Sequence, residues 1–182
     1  IPLPLVMVLE SQPEPLVEHG LTHPRETYFL AANFLLREVE IAATRVEHVV
    51  LNKYEESITW TLSSSKTDPK AFGVTRVLGC MCGHPSLPCP YHLAIFVINA
   101  VWKYASTAGL TPAERDALPL FHDGAGHAPT KAAMVTTFEL LAQRCGLPLC
   151  SSDGARLYGG HTARVEGAQA LATAGAEVSK IR

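Results

Sequence analysis

Two short stretches of this chain alternate strictly between apolar and polar residues. In Ser57 to Ser63, Ile58, Trp60 and Leu62 fall on one side and Thr59, Thr61 and Ser63 on the other, the period of a half-buried strand. Phe72 to Leu78 alternates again, and the polar run Ser64-Ser-Lys-Thr-Asp-Pro-Lys70 between them predicts a turn, giving a hairpin with Lys66 near its tip. Arg45 to Asn52 reads as a further short strand, so the sum is a three-stranded antiparallel sheet. The remaining apolar positions recur at helical spacing. Pro24 to Ala43 contains no internal proline or glycine and places Tyr28, Ala31, Leu35 and Val39 on one face, predicting a single helix with Arg37 in its last turns. A second helix is predicted from Tyr91 to about Ser106, and Thr111-Pro-Ala-Glu114 is a capping box that opens a short third. Thr130 can cap a helix that runs to Cys145, where Gly146 and Pro148 stop it, and a last helix is expected from near His161 to Ala174. The predicted class is α+β, mostly α, a helical domain with one small sheet.

With 182 residues, 47% of them apolar, the chain suits one well-buried core, and residues 1–182 are taken as one domain. The opening Ile1 to Leu9 is apolar but short, carries two prolines and lacks a basic flank. It therefore fits neither a signal peptide nor a membrane span, and an intracellular protein is expected. The chain opens on Ile and stops at Arg182 within a stretch that reads as continuing structure, which suggests a piece of a longer protein. A net charge of −2 argues against a strongly basic nucleic-acid binder. Its distribution softens that: residues 1–60 hold 4 Lys/Arg against 9 Asp/Glu, whereas residues 61–182 hold 11 against 8.

A few polar residues stand out against this background. His161 and Arg164, three apart at the start of the last predicted helix, can share a face and meet one phosphate, and Gly159-Gly160 before them allows close approach of the backbone. Arg37 has Glu40 three residues later to orient its guanidinium, and Lys66 at a hairpin tip could carry a proton to a leaving oxygen. Each signal alone is matched by a bland one, a solvated helix pair or a surface lysine.

Taken in order, these motifs resemble the catalytic domain of the tyrosine recombinases, the phage-integrase family of DNA breaking and rejoining enzymes. Leu36-Arg-Glu-Val-Glu40 is similar to the family's Leu-Arg-x-x-Glu, Ser64-Ser-Lys-Thr-Asp68 to its Ser-Lys-Thr hairpin turn, and Gly160-His-Thr-Ala-Arg164 to its His-x-x-Arg helix. Leu118-Pro-Leu-Phe121 and Thr130-Lys-Ala-Ala133 match the stretch between. The resemblance covers nearly the whole chain. It implies DNA recombination or integration through a phosphotyrosyl intermediate, with no metal or nucleotide needed for catalysis. Arg37 and Arg164 would stabilise charge on the phosphate, Lys66 would be the general acid, His161 would assist the tyrosine and Glu40 would support Arg37. The implied partners are double-stranded DNA, further domains of the same protein and other copies on DNA, with no membrane. The implied location is on DNA inside the cell, nuclear in a eukaryote. The family's second His or Trp and its nucleophilic tyrosine should follow His-x-x-Arg, yet Tyr28, Tyr54, Tyr91, Tyr104 and Tyr158 all precede it. An inactive DNA-binding relic of a mobile element is therefore an alternative. A type IB topoisomerase is another, although those enzymes typically have lysine where this chain has His161.

Cys80, Cys82, His84, Cys89 and His92 place five soft or borderline ligands within thirteen residues. Some four of them could close a tetrahedral, structural zinc site. The spacing is not the standard Cys-x2-Cys pairing, so reduced cysteines in a Pro-rich turn stay open as a reading. His122 and His127, flanking a Gly-rich loop, read as surface residues.

Overall fold

A computed structural model describes residues 1–62, 74–83 and 88–175 of the protein. Its sheet has three antiparallel strands, β1 (Val49–Asn52), β2 (Ser57–Leu62) and β3 (Val74–Gly79), in the order β1-β2-β3. Alternation in β2 does what its period requires: Ile58, Trp60 and Leu62 are buried on one face. On β3 the residues paired with them are Leu78, Arg76 and Val74, so an arginine occupies an inward-facing register position opposite Trp60. Only the second half of the predicted Arg45–Asn52 strand joins the sheet. Val46–His48 is a 3-10 turn, and the Val46 N–H donates to Leu118 O at 3.0 Å, outside the ladder.

Seven α-helices are present among the described residues: α1 (Leu3–Met7), α2 (Pro24–Asn33), α3 (Glu38–Ala43), α4 (Pro90–Thr107), α5 (Pro112–Asp116), α6 (Lys131–Arg144) and α7 (Thr162–Thr173). The α+β, mostly helical class with one small three-stranded sheet is thus the observed one. Helix α2 is the centre. Tyr28 to Ala32 are all buried, because α4, α6 and α7 pack around it. Tyr28 meets the edge of Phe138 at 5.4 Å, and Phe34 and Phe121 pack against Trp60 at 4.7 and 5.8 Å, joining helices to sheet. The apolar opening segment folds as α1 and buries Leu3 and Val6. None of the described helices is long and apolar enough to cross a membrane. Both predicted caps form: Thr111 Oγ1 accepts from the Glu114 N–H at 3.3 Å, and Thr130 Oγ1 from the Ala133 N–H at 3.1 Å.

The single helix expected over Pro24–Ala43 is two. Helix α2 ends at Asn33 and the chain turns sharply at Leu35, whose φ is +50°. A left-handed residue with a side chain costs about 1–2 kcal/mol. Burial of Phe34, Leu35 and Leu36 offsets it, at about 1.5–3 kcal/mol for each large side chain taken from water. Arg37 consequently stands at the N-cap of α3 and not in the last turns of a long helix. A second correction concerns His122, which is buried at 5% exposure and held by a Gly124 N–H donated to its Nδ1 at 3.0 Å. The aromatic ring of Tyr104 covers it at 4.7 Å, whereas the His127 side chain is exposed as expected.

Helix α7 lies against α2 through Ala163 and Gly167, both buried. A Cβ at Gly167 would fall on the Ala32 carbonyl oxygen, a backbone atom that cannot rotate away. Gly167→Ala is therefore expected to destabilise the fold by about 3 kcal/mol, the upper end of the usual overpacking range. Urea unfolding checks this, with Gly109→Ala unsuitable as a control because its φ is +69° and Gly79→Ala suitable because its Cβ would meet nothing.

Candidate functional site

The break after α2 exposes main-chain carbonyls that would otherwise point along a continuing helix. The Leu36 N–H closes back on Ala31 O at 2.8 Å and the Leu35 N–H on Ala32 O at 3.1 Å, leaving Phe34 O and Leu35 O as acceptors. Arg164, from α7, donates its Nη1 to Leu35 O at 3.1 Å. Arg76, from β3, donates its Nη1 to Phe34 O and to Leu35 O, the latter at 3.3 Å. Two residues further on stands Arg37. Three arginines from three separate elements thus gather at one turn.

Their mutual field is visible in Arg76. Burial lowers its pKa below the usual arginine range, Glu40 works against that, and the guanidinium groups of Arg164 and Arg37 lower it further. Glu40 is buried, and its Oε2 accepts the Arg37 main-chain N–H at 2.8 Å. It thereby fixes the start of α3, a different task from the guanidinium contact that the sequence spacing suggests. Glu38, also buried, has its Oε1 3.4 Å from Lys131 Nζ and donates its main-chain N–H to Gly160 O at 3.0 Å. A side chain at Gly160 would collide with that Glu38 carboxylate, so the glycine is what lets the approach to α7 dock on α3. Arg37 Nε is buried with no hydrogen-bond partner among the described residues. Three clustered guanidinium groups and a spare buried donor, only partly neutralised by the Glu40 carboxylate, make a site that can accept an oxyanion.

His161 caps α7 at φ −97°, and its carbonyl accepts the Val165 N–H at 2.9 Å. Its side chain is exposed and lines a groove of about 250 Å³ with Tyr158, Val165 and Gln169, while Arg164 is half-buried and turned to Leu35. Lys66 and His84 lie outside the described residues. Arg76 is the member that sequence reasoning passed over. Its signal was an arginine at an inward position of an alternating strand, which a core does not tolerate without a polar task.

A second cluster lies at the end of β3. Cys80 follows the strand directly, Cys82 sits in the next turn, Cys89 is the N-cap of α4, and His92 is in its first helical turn. Their ligand atoms all lie within 4.8 Å of one another, so the group could hold a metal ion. Burial alone would raise the Cys89 thiol, but N–H groups of His92 and Met81 and the His92 imidazole outweigh it and bring it down to about 6. Cys82, hydrogen-bonded first to Cys80, is pushed up to about 12.

No profile of a known protein family matches this sequence, and no curated protein matches it either. Among solved structures the fold is similar to the XerH site-specific recombinase bound to its difH substrate in a pre-cleavage complex, with a TM-score of 0.56 at 16% identity. The match covers 87% of this chain and spans 37% of that one. The likeness extends to the arrangement of helices and sheet.

Proposed function

We propose that this chain is a DNA-binding domain of the tyrosine-recombinase type, serving site-specific recombination or integration by a mobile element. The observation that carries the reading is the meeting of Arg37, Arg76 and Arg164 at the turn after α2, within a recombinase fold. A scissile phosphodiester would enter this cluster. Arg37 and Arg164 would hold its non-bridging oxygens, Arg76 would add charge from below, and Lys66 would protonate the departing 5′ oxygen. His161, exposed at the head of α7, would assist the attacking phenol. The tyrosine forms a 3′-phosphotyrosyl bond as the 5′ oxygen leaves, and the reverse transfer joins the new end, so neither a nucleotide nor a metal has a step to perform. Association with DNA inside the cell, with other copies on the same site, follows from this chemistry.

The nucleophile is the open position. Tyr28 is fully buried, donates to Ile1 O at 2.9 Å, and burial raises its pKa far above that of a free phenol. Tyr91 is buried, Tyr104 packs on His122, burial raises the pKa of Tyr158, and Tyr54 stands fully exposed in the β1–β2 turn. None suits attack within the arginine cluster, which favours a tyrosine supplied from outside these 182 residues. For the chain by itself it favours binding without cleavage.

Binding is tested by fluorescence anisotropy with a labelled duplex over a salt series. The chain is expected to bind weakly, and Arg76→Ala or Arg164→Ala should each weaken binding about 10-fold on any sequence and reduce the salt slope by about 1. Variants that bind as the parent does would remove the cluster from the interface.

A further inference from the structure

We infer that Cys80, Cys82, Cys89 and His92 form a structural zinc site that knots the end of β3 to the start of α4. Tetrahedral zinc with sulfur at about 2.3 Å and nitrogen at about 2.0–2.1 Å requires ligand atoms about 3.6–3.8 Å apart. The side chains stand within a few tenths of an ångström of those separations where bonded contacts are seen, and all four ligand atoms lie within 4.8 Å of one another. Cys89 Sγ is 3.6 Å from Cys80 Sγ, and His92 Nδ1 is 3.8, 3.2 and 3.4 Å from the sulfurs of Cys80, Cys82 and Cys89. One imidazole nitrogen facing three thiols is poor packing for a surface turn and a good ligand set for a thiophilic ion.

The surroundings supply what a closed site needs. The Met81 N–H donates to Cys89 Sγ at 3.1 Å, an outer contact that orients the thiolate and disperses its charge. Cys80 is held from behind, its N–H donating to Glu56 O at 2.7 Å, which ties the site to the β1–β2 turn. Four protein ligands leave no coordination position for a substrate, so the ion acts on structure and not on a reaction. The consequence lies four residues upstream, where β3 carries Arg76. Joining strand to helix at Cys80 restrains the strand that delivers this arginine to the cluster. That last link rests on the proposed function, whereas the zinc site stands on its own geometry.

The test is metal content of the full chain, purified under reducing conditions from zinc-supplemented medium and passed through gel filtration without chelator. About one zinc per chain is expected. Cobalt(II) titrated into the metal-stripped chain should give the intense visible bands of a tetrahedral thiolate site. Cys82→Ala, an exposed position where little packing is lost, should weaken zinc binding by more than about 100-fold, beyond the usual effect of an outer-shell partner. Cys150→Ala, an exposed cysteine elsewhere, should leave it unchanged. A chain that takes up neither zinc nor cobalt overturns the inference, as does a Cys82→Ala chain that holds zinc as tightly as Cys150→Ala, or iron in place of zinc. These readouts contain no DNA, so their failure leaves the phosphate-binding reading standing, and a failure of DNA binding leaves the zinc count standing.

Discussion

Arg164→Ala is expected to lower strand cleavage by about 100- to 1,000-fold in any longer form of this chain that carries a nucleophilic tyrosine, the loss typical of removing one donor from a transition-state oxyanion. Duplex binding by the same variant should fall only about 10-fold, since a ground-state phosphate has many other contacts. The difference follows from where charge develops. In the proposed reaction the non-bridging oxygens would carry more negative charge at the pentacoordinate transition state than in the ground state, and a guanidinium fixed through Leu35 O would meet that charge without reorganising. Arg164→Lys should recover little, because an ammonium cannot hold Leu35 O and a phosphate oxygen in one plane. A suicide substrate resolved on a denaturing gel measures cleavage, and anisotropy measures binding. Equal losses in the two assays would make Arg164 a docking residue, and a covalent adduct formed by residues 1–182 alone would return one of the five tyrosines to the role of nucleophile.

Trp60→Ala is expected to cost about 3–5 kcal/mol of stability, the range for truncating a large buried aromatic. Against a total of about 5–15 kcal/mol, that is enough to leave a substantial unfolded fraction in a marginal domain. The ring is fully buried between Phe34 and Phe121, on the sheet face that meets the helices. Its Nε1–H donates to Thr44 Oγ1 at 3.3 Å, and Thr44 in turn donates to Glu40 O at 2.7 Å. Damage at Trp60 therefore reaches the helix whose first residues define the arginine cluster. Trp60→Phe keeps most of the packing and drops the N–H, so it should cost less than half as much. Chemical denaturation with both variants separates the contributions, and a Trp60→Ala protein as stable as the parent would contradict the packing described here.

The proposed chemistry was legible in short motifs, and its geometry was not. Arg37, His161 and Arg164 could be singled out because their spacing and the glycines before His161 are local features. That Glu40 would serve the main chain of Arg37 was hidden, since the same three-residue spacing serves a helix-surface pair and an N-terminal cap alike. Arg76 was overlooked because a lone charge on an alternating strand gains meaning only from the Trp60 across the ladder.

The sequence by itself determined what near neighbours decide. The period of Ser57 to Leu62 made a strand with Trp60 inside, the hydroxyls of Thr111 and Thr130 started two helices, and Gly146 helped to end one. These outcomes depend on hydrogen bonds and burial patterns a few residues long. Tertiary structure decided the rest. Helix α2 stops at Asn33 because Phe34, Leu35 and Leu36 find buried places that outweigh a left-handed turn, a balance that carries no glycine or proline as a marker. His122 is inside because Tyr104, from α4, covers it. The bond from Arg164 to Leu35 spans 129 positions, and Cys80 and Cys89 meet because β3 ends beside the start of α4. Contacts of that kind are set by the packing free energy of whole elements, which no local pattern records.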